Sequence, residues 1–268
     1  MARSSISARL AFCFTGKAPY PLILPQASLA MAAEHLQRDG FLFALSTMAK
    51  PIDALPPSLN HERHGAQTYR LGMDHDGFLM RRQIARGVLS LATGKAPDAF
   101  RIERNQAGKP VVVGLGETWR LSFSARGPLA LIGIARWPIG VDIEAERAAS
   151  GIPWNVLRAD EQADLRKLPE SGRARAFFDL WVAKEACSKL VGTGFMTPPE
   201  AFIIRTTRAE HVSDQSVGQE KNAHEPMVVL TRSGLNVFVT PTIGEALAEP
   251  VSHSVALAFF EEQAPARS

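Results

Sequence analysis

Two carboxylates stand two residues apart in the stretch G-V-D-I-E at residues 140–144. Because side chains alternate along a strand, Asp142 and Glu144 are expected to share one face while Ile143 points into the core. Neighbouring carboxylates repel each other unless a cation neutralises them, and oxygen ligands of this kind suit Mg²⁺. Taken alone, the pair is more typical of solvated acids at a strand end, and a metal site is the alternative.

A second group of charged residues lies on a predicted helix over residues 173–190. Glu185 and Lys189 are four residues apart, so they share one face of that helix. An ordinary helical salt bridge explains this spacing without any chemistry. Gly192 and Gly194 follow and permit a tight exit from the helix.

Arg82 and Arg86 are four residues apart on another predicted amphipathic helix, over residues 78–91. Like charges at this spacing are mildly destabilising unless an anion lies between them. A solvated helix face is the simpler interpretation, and an anion site is the alternative.

The elements that must position these residues alternate twice between helices and strands. Short β-like runs between residues 100 and 143 follow the first helical region, and further strands follow the helical region at residues 159–190. This order predicts an α+β fold of two similar lobes, each with a small antiparallel sheet packed on helices. The lobes are predicted at residues 41–145 and 146–268, and residues 1–40 are interpreted as an N-terminal extension of irregular structure.

The composition is that of an ordinary globular enzyme. Of 268 residues, 46% are hydrophobic and 21% are charged, which excludes disordered and low-complexity classes. The net charge of +3 comes without a basic block, so no nucleic-acid partner is expected. Two cysteines, Cys13 and Cys187, are too few for a disulfide framework and suit a reducing compartment. No apolar run approaches the roughly 18 to 20 residues of a bilayer span, so we expect a cytoplasmic protein without a membrane partner.

Other chemistries have weaker support. His61 and His64 could ligate a metal, but no third ligand is evident, and a polar helix face is the preferred interpretation. A serine hydrolase lacks its G-x-S-x-G turn.

The order of the motifs is more specific than any one of them. G-V-D-I-E at the end of a strand is followed by F-F-x-L-W-x-x-K-E-A-x-x-K-x-x-G-x-G at residues 177–194. This combination resembles the Sfp-type 4′-phosphopantetheinyl transferases, over about residues 55–195. Supporting positions are Arg82 with Arg86, G-K-P at residues 108–110, the strand end at residues 121–124, and Glu161.

The resemblance implies roles for individual residues. Asp142, Glu144 and Glu185 match the acids that gather one Mg²⁺ against the diphosphate of coenzyme A. The residues implied to contact coenzyme A are Lys109, Arg82, Arg86, Ser124, Lys184 and Lys189.

The resemblance also implies an activity, that of a holo-[acyl-carrier-protein] synthase. A serine hydroxyl of an apo acyl or peptidyl carrier protein attacks the β-phosphate of coenzyme A, and adenosine 3′,5′-bisphosphate leaves. Glu185 and Lys189 are the implied catalytic residues: Glu185 accepts the proton and Lys189 contacts the phosphates. The site would lie in the cleft between the lobes of a monomer.

One position departs from the family pattern. N-x-S-H-[ST] is usual at the end of the central strand, whereas this chain has S-F-S-A-R at residues 122–126, with Ala125 in place of the histidine. That histidine is associated with the 3′-phosphate of coenzyme A, and Arg126 could supply the charge instead. The alternative function is therefore a noncatalytic or divergent relative that binds coenzyme A or a carrier protein in a regulatory role.

Overall fold

The computed structural model describes residues 21–24, 27–48, 52–69, 73–116, 118–146, 152–192, 197–207, 227–231, 235–240 and 253–260. The helices are α1 (Leu29–Asp39), α2 (Asn60–Ala66), α3 (Met73–Thr93), α4 (Ala159–Lys167) and α5 (Glu170–Val191). The strands are β1 (Leu22–Leu24), β2 (Phe41–Thr47), β3 (Arg101–Arg104), β4 (Pro110–Val113), β5 (Arg120–Arg126), β6 (Leu129–Ala135), β7 (Ile139–Ala145), β8 (Ile204–Thr207), β9 (Met227–Thr231), β10 (Leu235–Thr240) and β11 (His253–Phe260).

The strands form two sheets whose strand order is the same apart from β1, which is added at the edge of the first sheet. The first sheet runs β1-β2-β6-β5-β4-β3, and the second runs β7-β11-β10-β9-β8. The two sheets share one pairing. β6 pairs antiparallel with β2 in the first sheet, and β11 pairs antiparallel with β7 in the second, so a late strand returns beside an early one in each. The fold is therefore of the predicted α+β class, and its topology is repeated along the chain.

Strand alternation divides the side chains of the first sheet between two cores. Leu42, Ala44 and Ile132 pack with apolar side chains of α1 and α3 on one face. Phe43 and Leu131 point the other way, into a core shared with β7 and β11. The second sheet thus lies against the face of the first sheet that the helices leave free, and α5 packs on the far side of the second sheet.

The N-terminal boundary differs from the predicted one. Leu22–Leu24 is a strand that pairs parallel with β2, and Leu29–Asp39 is a helix whose buried side chains belong to the first core. Ser28 caps this helix by accepting a hydrogen bond from the backbone of Met31, and Gly40 ends it with a φ of 74°. The irregular extension therefore does not reach residue 40, and residues 1–20 lie outside the described residues.

None of the helices in the described part of the chain is long and apolar enough to cross a membrane.

Candidate active site

Strand β7 is held on both of its edges. One edge pairs with β11, and the other faces two serine side chains of β5. The hydroxyl of Ser122 accepts a hydrogen bond from the backbone of Val141 at 3.0 Å, and that of Ser124 accepts one from Ile143 at 3.4 Å. These hydroxyls satisfy backbone groups that would otherwise be buried without partners. As a result, the strand that carries the two acids is fixed between both sheets.

Gly140 explains how α5 reaches this strand. A side chain here would overlap the carbonyl oxygen of Ala186 and lie 2.6 Å from the backbone nitrogen of Leu190. Only glycine permits this close approach of strand and helix. The glycine of the G-V-D-I-E motif therefore brings the helix that carries Glu185 and Lys189 against the acids of β7.

Asp142 is the point where the two sequence motifs meet. It is buried, with 5% of its surface exposed. Its Oδ1 accepts hydrogen bonds from Ser124 Oγ at 2.7 Å and from Lys189 Nζ at 2.6 Å. Three elements, β5, β7 and α5, therefore fix one carboxylate oxygen. Ser124, predicted as a coenzyme A contact, uses its hydroxyl to orient this acid.

Glu144 lies on the same face of β7 as Asp142 and has a different cation beside it. Its Oε2 is 3.0 Å from Nε of Arg126, the last residue of β5. Burial raises the pKa of the Glu144 carboxyl; Asp142 adds to this rise and Arg126 opposes it. The arginine beside Ala125 thus faces the acidic pair in this structure.

Glu185 completes an electrostatic cluster of acids. Burial raises its pKa, as do the charges of Asp142 and Glu144, whereas Lys189 opposes the rise. Within the described ranges, no three His, Cys, Asp or Glu side chains come close enough to form a ready-made metal site. The donor chemistry nevertheless fits Mg²⁺, because the three carboxylates share one region and their mutual repulsion favours a cation.

Lys109 connects the first sheet to the end of α5. Its Nζ donates hydrogen bonds to the carbonyl oxygens of Lys189 and Leu190, at 2.8 and 2.9 Å. A cation at a helix C-terminus is favourable because the last carbonyls carry partial negative charge. Burial lowers the pKa of Lys109 to about 8. This contact positions the turn of α5 from which Lys189 reaches Asp142.

Two predicted coenzyme A contacts are wrong, for the same physical reason. Arg86 is buried in an ion pair with Glu62, with Nε and Oε1 2.8 Å apart. Lys184 is buried in an ion pair with Glu161, with Nζ and Oε1 also 2.8 Å apart. Each acid lies on the short helix that precedes the long one, so the pairs join α2 to α3 and α4 to α5.

The remaining hydrogen bonds of these two cations stay within the protein. Arg86 donates to the backbone carbonyls of Pro57 and Pro97, and Lys184 donates to those of Pro199 and Phe202. A buried charge needs such partners, because burying it unpaired is costly. Both cations therefore hold the helices together and are inaccessible to a ligand.

Arg82 lies apart from the acidic cluster. Its guanidinium stacks on Phe78 at 3.4 Å from the ring centre and also faces Phe123. Because Phe123 and Ser124 are neighbours on β5, their side chains point to opposite faces of the sheet. The structure thus places Arg82 on the helix side of the first sheet and Asp142 on the other side.

A cavity of about 320 Å³ opens beside Arg82. It lies between α2, α3 and β3, and its lining includes His61, Phe78 and Arg104. Burial, together with the nearby charges of Arg104 and Arg81, lowers the pKa of Arg82 to about 10. Two carboxylates also line the cavity, Glu62 and Glu103, and they pair with Arg86 and Arg101. Arg82 and Arg104 therefore offer positive charge to an anionic ligand.

Sequence reasoning missed Arg104. This side chain donates a hydrogen bond to the hydroxyl of Tyr69 and lies over the rings of Tyr69 and Phe78. It stands at the end of a four-residue strand in which only Ile102 is buried, so a single arginine there has no distinguishing pattern. Only the fold shows that it joins Arg82 at the cavity.

The acidic cluster lies within the part of the chain that matches a known protein family. A family model described as the 4′-phosphopantetheinyl transferase superfamily matches residues 138–239, which include Asp142, Glu144, Glu185 and Lys189. The predicted resemblance to this superfamily is confirmed. The matched range does not include Arg82 or Lys109. Their prediction as coenzyme A contacts depends on the motifs that precede residue 138.

Two phosphopantetheinyl transferases are similar to the chain. It is 28% identical over 158 residues to 4′-phosphopantetheinyl transferase psf-1 of Bacillus pumilus, an alignment that covers 58% of this chain and 67% of that protein. It is 25% identical over 127 residues to 4′-phosphopantetheinyl transferase gsp of Aneurinibacillus migulanus, covering 47% of this chain and 50% of that protein. The alignments thus span about two thirds and half of the relatives' lengths.

Proposed function

We propose that the protein transfers the 4′-phosphopantetheine group of coenzyme A to a serine of an apo acyl or peptidyl carrier protein. The observation that carries this proposal is the 2.6 Å contact between Lys189 Nζ and Asp142 Oδ1. It joins the two motifs of the superfamily at one buried point, as a shared phosphate-binding site requires. The relatives named as 4′-phosphopantetheinyl transferases support the same activity.

Asp142, Glu144 and Glu185 would hold the Mg²⁺ ion. Two of the three have a raised pKa that burial and mutual repulsion cause, so a divalent cation would relieve an existing electrostatic cost. When bound, Mg²⁺ would neutralise the diphosphate of coenzyme A and the charge that develops on the leaving group.

The chain's own residues account for proton transfer and phosphate binding. The serine oxygen of the carrier forms a bond to the β-phosphorus, and the bond from that phosphorus to the oxygen of adenosine 3′,5′-bisphosphate breaks. Glu185 accepts the serine proton, directly or through a water, and its raised pKa makes it a better base near neutral pH. Lys189 provides a point charge for an anionic phosphate oxygen.

The nucleotide end of coenzyme A would pass around the end of β5, from the acidic cluster on one face of the first sheet to the helix side. Lys109 stands next to Lys189 at the end of α5, where its Nζ donates hydrogen bonds to the carbonyl oxygens of Lys189 and Leu190. Arg82 and Arg104 offer positive charge at the cavity on the helix side. We therefore assign the diphosphate to the junction of the two sheets, equivalent to a cleft between two lobes, and the remaining phosphate to this cavity.

The direct test is incubation with coenzyme A, Mg²⁺ and an apo carrier protein, followed by mass spectrometry of the carrier. We expect the mass gain of one phosphopantetheine, and none on a carrier whose acceptor serine is replaced by alanine. A panel of fatty-acid, polyketide, nonribosomal-peptide and lysine-pathway carriers separates a holo-[acyl-carrier-protein] synthase from a transferase for other carriers. No gain with any carrier would contradict the proposal.

A noncatalytic relative is the second candidate, and Ala125 with the Arg126–Glu144 ion pair favours it. Isothermal titration with coenzyme A, with and without Mg²⁺, distinguishes the two functions. Binding without turnover supports a regulatory coenzyme A-binding protein, whereas binding with turnover supports the enzyme. In either case we propose a monomer, because one chain supplies both sheets that border the site. We also propose a cytoplasmic location, because two cysteines suit a reducing compartment.

A further inference from the structure

Each of the two acids on β7 pairs with one cation, and the two cations come from different elements. Lys189 of α5 contacts Asp142 at 2.6 Å, and Arg126 of β5 contacts Glu144 at 3.0 Å. Lys189 belongs to the proposed phosphate site, which gives it a second role. Arg126 has no role in the reaction as proposed, so its position needs a separate explanation.

The setting of the Arg126–Glu144 pair makes the contact significant. The side chains of Arg126 and Glu144 are 32% and 23% exposed, so most of both groups is withdrawn from water. Charges interact more strongly in such a setting than on an open surface. Moreover, Asp142 and Glu185 place like charge near Glu144, and Arg126 opposes its effect on the Glu144 pKa more strongly than Lys189 or the backbone of Ala145 does.

A divalent cation on Glu144 cannot leave this pair unchanged. The guanidinium and the metal are both positive and would share one carboxylate, so each weakens the binding of the other. By linkage, the free energy of the ion pair must be subtracted from that of metal binding whenever binding breaks the pair.

We propose that Arg126 is a positioning residue that serves as the internal counter-ion of Glu144 and competes with the divalent cation for it. The inference rests on the proposed function, because it takes Asp142, Glu144 and Glu185 as the metal ligands. Arg126 offsets the charge of Glu144 while no metal is bound, and it raises the metal concentration that the site requires.

The test is calorimetric titration of Mn²⁺ into the full chain at pH 8, without coenzyme A. Arg126→Gln should bind Mn²⁺ about three- to tenfold more tightly than the unaltered protein, since a partly buried competing charge has been removed. Arg126→Lys, which keeps the charge, should bind close to the unaltered protein. Arg101→Gln is the matched control, because Arg101 forms an Nε–Oε1 pair with Glu103 at 3.1 Å on β3 and loses the same charge.

A second background separates competition from an indirect effect. When Glu144→Gln is present, Arg126→Gln should no longer tighten Mn²⁺ binding, because the counter-ion has lost its carboxylate. Equal or weaker binding by Arg126→Gln alone overturns this inference and leaves the metal site intact. Absence of Mn²⁺ binding in all variants, the unaltered protein included, overturns the proposed metal site and this inference with it.

Discussion

Replacing Lys184 with Met should destabilise the protein strongly without affecting coenzyme A binding. Lys184 Nζ lies 2.8 Å from Glu161 Oε1 and donates hydrogen bonds to the carbonyls of Pro199 and Phe202, at 3.0 and 2.9 Å. The substitution leaves a buried carboxylate and two carbonyls without this partner. Removing one member of a buried ion pair costs about 3–5 kcal/mol.

That cost is a large part of the stability of a typical domain, which is about 5–15 kcal/mol. For a chain of this size, about 2–4 °C of melting temperature is lost per kcal/mol, so the midpoint should fall by roughly 6–20 °C. Urea unfolding followed by tryptophan fluorescence measures the free energy directly. The double variant Lys184→Met with Glu161→Met should recover much of the loss, because replacing both charges with apolar groups is often neutral or stabilising.

Kinetics complete this test. At a temperature where the variant is folded, the KM for coenzyme A of Lys184→Met should equal that of the unaltered protein. A change in unfolding free energy below about 1 kcal/mol, together with a raised KM for coenzyme A, would refute the assignment of Lys184 to the helix pair.

Three further substitutions test the architecture around Asp142. Gly140→Ala should lower the free energy of unfolding by about 1–3 kcal/mol or more and reduce turnover, because the added methyl group separates β7 from α5. Gly172→Ala is the control: the space around Gly172 is open, so the change should be neutral or stabilising. Equal urea midpoints for the two variants would contradict this expectation. Ser124→Ala should lower the free energy of unfolding by about 1.5–3 kcal/mol and also lower kcat, because the hydrogen bond from Ser124 to the charged Asp142 is lost. Unchanged kinetics would contradict the role of Ser124 in orienting Asp142. Between about pH 8 and 10.5, Lys109 in the folded protein has lost a proton that it keeps in the unfolded chain, so its contribution to the free energy of unfolding rises with pH. The unfolding free energy of the unaltered protein minus that of Lys109→Met should therefore increase over this pH range. A difference that does not change with pH would contradict the burial of Lys109.

The acids and Lys189 were predictable because their spacing is local. Asp142 and Glu144 share a strand face by alternation, and Glu185 and Lys189 share a helix face by the helical period. The meeting of the two motifs depends on Gly140, whose role as a close-packing position is visible only in the fold.

Arg86 and Lys184 were assigned wrongly because helical spacing shows which residues share a face, but not what lies opposite. Their partners Glu62 and Glu161 lie on the preceding helix, across a loop. Each partner accepts a backbone hydrogen bond at the start of its helix, from Leu59 and Arg158, so the usual serine or threonine signal of a capping box is missing.

The other differences have a similar origin. Leu22–Leu24 is a strand of three residues, too short for a period, and only its parallel pairing with β2 reveals it. Arg126 and Arg104 find their partners on distant elements, Glu144 on β7 and Tyr69 beyond α2. Contacts of this kind have no pattern in the amino-acid sequence.

The central claim is that Asp142 and Glu185 belong to one site that transfers phosphopantetheine. The most direct measurement is the mass of an apo carrier protein after incubation with coenzyme A and Mg²⁺ and either the unaltered protein, Asp142→Asn or Glu185→Gln. We expect the gain of one phosphopantetheine with the unaltered protein and a loss of turnover of at least about a hundredfold in both variants, with folding retained by circular dichroism. Full turnover in both variants would contradict it.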